Sequence, residues 1–166
     1  WFTDTATANV NKIQAGNLDI QLFYADNADG VDAKWTELTN DSTTLLKFLQ
    51  SNGTTATQQD FYWEPGGTYS LPALKIVNNG NLNLKYKVEI TGINGSDKLN
   101  EAIEWTIIND GTPITTGGNE YALNAKADTT VDSDTLTISG HMKESAGNEY
   151  KNLSIDGVSI TVYATQ

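Results

Sequence analysis

The side chains able to do chemistry in this chain are few, and the first is its one imidazole, His141, three residues before Glu144. A His-x-x-Glu pair suggests a zinc peptidase. Such a site needs a second histidine, so that two nitrogens share a helical face, and the sequence has none. His141 also shares strand parity with Thr137, Ser139 and Lys143, the polar side of an alternating run, and so reads as a solvated or hydrogen-bonded strand histidine. A Ser-His-Asp hydrolase would use it as base, but no Gly-x-Ser-x-Gly elbow marks a nucleophile. The carboxylate pairs Asp26 with Asp29, and Glu101 with Glu104, have the chemistry of a glycosidase. On so acidic a chain they read more simply as solvated loop and helix-face charges. Asp26, Asn27, Asp29 and Asp32 cluster around Gly30 with the hard oxygen donors that suit calcium, yet the EF-hand spacing fails because Ala25 stands where its first aspartate belongs. Phe61, Tyr62 and Trp63, just before Pro65, would serve a glycan platform if exposed and coplanar, and otherwise seal one end of a sandwich. With no cysteine, disulfides and thiolate metal sites are excluded. The expectation is a protein that is not an enzyme, with no catalytic residue, no cofactor and no metal.

The elements that position these groups are strands. Leu82, Leu84, Tyr86, Val88 and Ile90 alternate with polar residues, and the same period of two runs through Leu18, Ile20, Leu22 and Tyr24. It recurs in Ile103, Trp105 and Ile107, in Tyr121, Leu123 and Ala125, and in Leu136, Ile138, Gly140 and Met142. Alternation implies one wet face, hence antiparallel sheets. Asn79-Gly80, Asn94-Gly95, Asn109-Asp110-Gly111 and Gly117-Gly118-Asn119 read as turns, since these residues tolerate positive φ. Near the C-terminus, Leu153 and Ile155 have one parity and Val158, Ile160, Val162 and Ala164 the other, so Asp156-Gly157 marks a bulge or a hairpin. The bulge is favoured, because a hairpin leaves only a stub of strand before it. Leu45, Leu46, Phe48 and Leu49 fall on one helical face, with Asp41 and Ser42 as caps and Gly53 beyond, predicting a short helix over 42–51. A second helical turn is expected around Asp97 to Ala102.

The chain has 166 residues, room for one domain, and its 38% hydrophobic content supports a folded core. A net charge of -11, with every basic residue a lysine, disfavours nucleic acid as a partner. No apolar run approaches the roughly 20 residues that span a bilayer. Trp1 in place of methionine points to a leader removed from an exported precursor.

Trp1-Phe2-Thr3-Asp4-Thr5-Ala6-Thr7, followed by Gln14-Ala15-Gly16-Asn17-Leu18-Asp19-Ile20, resembles the mature N-terminus of the TasA/CalY (camelysin-like) family of bacterial matrix and surface proteins. Trp63-Glu64-Pro65-Gly66-Gly67 leading into Ile76 to Leu82, and His141 to Tyr150 before a closing strand, are similar to the same family. The likeness departs at Gln14, where the family favours threonine, and across residues 30 to 60. It implies an all-β, antiparallel, jelly-roll-like sandwich with one or two short helices, secreted to the extracellular matrix or cell surface. It also implies a fibre, in which residues 1 to 12 act as a donor strand to the next copy; Trp1, Phe2, Asp4, Ala6, Ala8 and Val10 are its assembly residues. The bland reading of that segment is a strand in its own sheet or a frayed end. The partners expected are further copies of the chain and other matrix or surface components. The rival functions are an adhesion module for glycans or host proteins and, through the label carried by camelysin-like relatives, a metallopeptidase.

Overall fold

A computed structural model describes residues 7–13, 19–38, 45–49, 64–95, 97–114, 119–150 and 155–165. In chain order its strands are β1 (Thr7–Ile13), β2 (Ile20–Ala25), β3 (Trp35–Leu38), β4 (Leu45–Lys47), β5 (Thr68–Ser70), β6 (Leu74–Asn78) and β7 (Leu84–Gly95). After the short helix α1 (Asp97–Glu101) come β8 (Ile103–Asn109), β9 (Thr112–Ile114), β10 (Tyr121–Leu123), β11 (Asp132–Met142), a 3-10 turn (Asn148–Tyr150) and β12 (Ile155–Thr165). The fold is an all-β sandwich. One sheet runs β10-β7-β12-β1-β4, and the other β3-β2-β6-β11-β8-β9, with β5 also paired to β11. From β6 onward the chain changes sheet at nearly every connection, the winding of a jelly roll. The β8–β9 hairpin is the exception.

The core forms where the alternating runs meet. Ile20, Leu22, Leu74, Ile76, Ile107, Leu136 and Ile138 of one sheet pack in one cluster with Leu84, Tyr86, Val88, Leu123, Ile160 and Val162 of the other. The face expected of β7 is therefore buried, with Leu82 and Ile90 half-buried at its margins. Asp110 and Gly111, at φ 47° and 87°, make the tight β8–β9 turn, whose twist matches the strands it joins.

Three expectations need correction. The helix over 42–51 does not form in its described part: Leu45–Lys47 is β4, antiparallel to β1, and Leu49 bridges Ser70 in the opposite sheet. Leu46, Phe48 and Leu49 are all buried. A short apolar run satisfies a helix face and a buried strand equally, and here crossing between the sheets decides. Asn94-Gly95 makes no turn; it ends β7, with Gly157 opposite Asn94 and Ile155 opposite Gly95. Nor is pairing wholly antiparallel, since β1 runs parallel to β12. At Asp156-Gly157, β12 continues through two register irregularities, so no hairpin forms. The helical turn at Asp97 is present as α1.

Candidate functional site

β1 occupies an inner position of its sheet, with β12 on one side and β4 on the other. Its register with β12 runs from Ala8 opposite Val158, through Val10 opposite Ile160, to Ile13 opposite Tyr163. Against β4, Ala8 stands opposite Leu46. Of the expected assembly residues, Ala8 and Val10 thus lie in a strand paired within its own chain. Trp1, Phe2, Asp4 and Ala6 lie outside the described residues. What the site offers is backbone pairing on both edges, the currency of strand addition. β1 and β2 belong to different sheets.

A polar cluster closes one end of the sandwich. Tyr86, 1% exposed, reaches from β7 across the core and donates its hydroxyl to Asp134 Oδ2 of β11 at 2.5 Å. Asn109 Nδ2 of β8 donates to the Tyr86 hydroxyl at 2.8 Å and to the same Asp134 oxygen at 3.3 Å. Asp110 Oδ1 accepts the Thr135 N–H at 3.1 Å, which fixes the β8–β9 turn against β11. Burial pushes the Asp134 carboxyl up from its ordinary range; the two donors oppose that, and the neighbouring Asp110 adds to it. Burial, reinforced by Asp134, likewise raises the Tyr86 phenol well above its ordinary value.

Beside this cluster, Asn78 is fully buried. Its Nδ2 faces the carbonyls of Leu82, Leu123 and Asn124 at 2.8, 3.3 and 3.0 Å, and its Oδ1 accepts the Gly80 N–H at 3.0 Å. One side chain therefore fastens the β6–β7 crossover to β10. Reading the sequence missed these residues, although Asn78, Asn109 and Asp134 each share the parity of the buried residues in their strands. A polar side chain on core parity was the available signal.

His141 sits on the outward face of β11, between Thr68 of β5 and Glu104 of β8 in register. Its Nδ1 lies 2.7 Å from Thr68 Oγ1, a hydrogen bond whose direction follows the ring tautomer. Glu101 and Glu104 are both exposed. In the β2–β3 loop, Asp26 Oδ1 accepts the Lys34 N–H, Asp29 Oδ1 accepts the Val31 N–H, and Asn27 Oδ1 accepts the Gly30 N–H. These oxygens cap the backbone of a tight loop. Gly30 is needed there, at φ 75° and with Trp35 ring atoms 3.0 Å from where a Cβ would stand. Among the described residues no three His, Asp or Glu side chains converge as a metal site. Phe61, Tyr62 and Trp63 lie outside the described residues. No helix among those described is long and apolar enough to cross a membrane. In comparisons with known proteins, the chain matches no protein-family model and no curated sequence.

Proposed function

We propose that this chain is a secreted structural protein of an extracellular matrix or cell surface, and that its copies join head to tail into fibres by exchanging β1. The observation that carries this reading is the inner position of β1, between β12 and β4. If β1 of one copy takes that place in the next, each backbone hydrogen bond is replaced by an identical one, so exchange costs chiefly the entropy of association. Each such bond is worth about 0.5–1.5 kcal/mol net, and an empty slot would leave two unpaired edges in a row. Because the contact is heterologous, it need not close on itself and propagates as a filament. The resemblance of Trp1 to Thr7 and of Gln14 to Ile20 to the TasA/CalY family supports the same assembly and the same location outside the cell.

Electron microscopy of concentrated purified protein tests this directly. Filaments are expected from the parent chain. They should be lost in Val10→Pro, where proline removes a backbone donor from a strand paired on both sides. A chain that stays monomeric at every concentration, by light scattering as well as microscopy, overturns the proposal.

A further inference from the structure

The end cluster joins the two sheets through groups of unequal character: a phenol from β7, a carboxamide from β8, and two carboxylates, Asp134 on β11 and Asp110 at the β8–β9 turn. Both identified donors, Tyr86 and Asn109, converge on one oxygen of Asp134, Oδ2. Around them stand Ile76 of β6, in register with Asp134, and the ring of Tyr121 of β10, 5.8 Å from that of Tyr86. Among the described residues Asp110 is the charged group acting on Asp134, and no lysine pairs with either carboxylate.

We propose that Tyr86, Asn109, Asp110 and Asp134 form an acid-strengthened clamp, which holds the two sheets together more firmly in mildly acidic surroundings than at neutral pH. At neutral pH the half-buried Asp134 carboxylate stands beside Asp110, whose negative charge disfavours its own. A proton on Asp134 removes that repulsion and gives Asp134 a hydrogen to donate to Asp110, while Oδ2 keeps both of its donors. The sign follows from linkage. The carboxyl is raised in the fold above its ordinary value of 3.8, so its contribution is full below that value and is lost as pH rises through the folded one. Acidification from neutrality therefore adds stability through this group.

The test is the melting temperature of parent, Asp134→Asn and Asp110→Asn across a pH series from about 7.5 to about 4. Relief of the chain's general negative charge raises all three alike, so the difference between parent and Asp134→Asn isolates the clamp. The parent should gain on Asp134→Asn as pH falls, by about 3–5 °C for each unit by which the folded carboxyl is raised. Asp110→Asn should show a smaller pH dependence than the parent. A parent-to-variant difference that stays constant with pH overturns the clamp. If Asp134→Asn fails to fold, a carboxyl-carbon NMR titration of Asp134 in the parent decides: a midpoint above 3.8 sustains the proposal, and one at or below it overturns it.

Discussion

Asn78 shows what a single polar side chain can be worth when nothing else can replace its pattern of contacts. The two N–H hydrogens of its amide face three carbonyls and its oxygen accepts one N–H, at a fully buried position. Asn78→Ala strands those groups, at about 1–3 kcal/mol for each one left buried and unpaired. A melting temperature lower by at least several degrees is the expected result. Asn78→Asp is the sharper comparison. It is isosteric yet turns the donor toward three carbonyl oxygens into a further acceptor, so it should melt below Asn78→Ala; the reverse order in thermal unfolding would discount the three contacts. The same logic separates what was legible among single residues from what was not. His141 was readable as a polar-face residue because parity alone placed it there, although its partner Thr68 lies far away in sequence. Asn78, Asn109 and Asp134 were not, because a polar residue at either edge of an apolar run is equally the end of a strand, and its partners come from other strands.

Among elements, the long alternating strands were legible and the short or irregular ones were not. β7 and β11 have a period of two that only a half-buried strand satisfies. β4 is three residues long, and its identity rests on antiparallel pairing with β1, a partner no local pattern names. Asn94-Gly95 read as a turn and Asp156-Gly157 as a bulge or a hairpin, whereas opposite each other they form the irregular stretch of one ladder, after which the register resumes unchanged. β1 falls largely within residues 1 to 12, the segment expected to be a strand, but its parallel alignment with β12 was not legible. That alignment makes a prediction. Deleting residues 1–13 should open a gap between β12 and β4 and lower the melting temperature markedly. A synthetic peptide of residues 1–13 should restore it in a concentration-dependent way, as binding to the folded state requires. A truncated chain that melts like the parent would show that β1 adds nothing to the sheet.

At the scale of the whole molecule, assembly must overcome the charge of -11 that each copy carries. Like-charged subunits repel over roughly a Debye length, about 10 Å at 0.1 M salt. Filament growth, followed by light scattering, should therefore quicken as salt rises; slowing with salt would mean that ionic attraction drives contact. Whether β1 crosses between copies is a separate matter, and the absence of cysteine allows a clean answer. Asn9 of β1 stands opposite Ser159 of β12, and adjacent strands lie about 4.7–4.9 Å apart, within the span a disulfide bridges. Take two singly substituted chains, Asn9→Cys and Ser159→Cys, and mix them before assembly. Neither can bridge these two positions within itself, so a mixed disulfide at this pair requires β1 of one chain beside β12 of the other. The expected result is a cross-linked heterodimer on a non-reducing gel, abundant in filaments and scarce in dilute monomer. Replacing Ser159→Cys by Ser133→Cys, on β11 of the opposite sheet, controls for chance collision and should abolish the band. If filaments form and the Asn9–Ser159 band is no stronger than this control, the copies associate by another surface, and β1 stays in its own sheet.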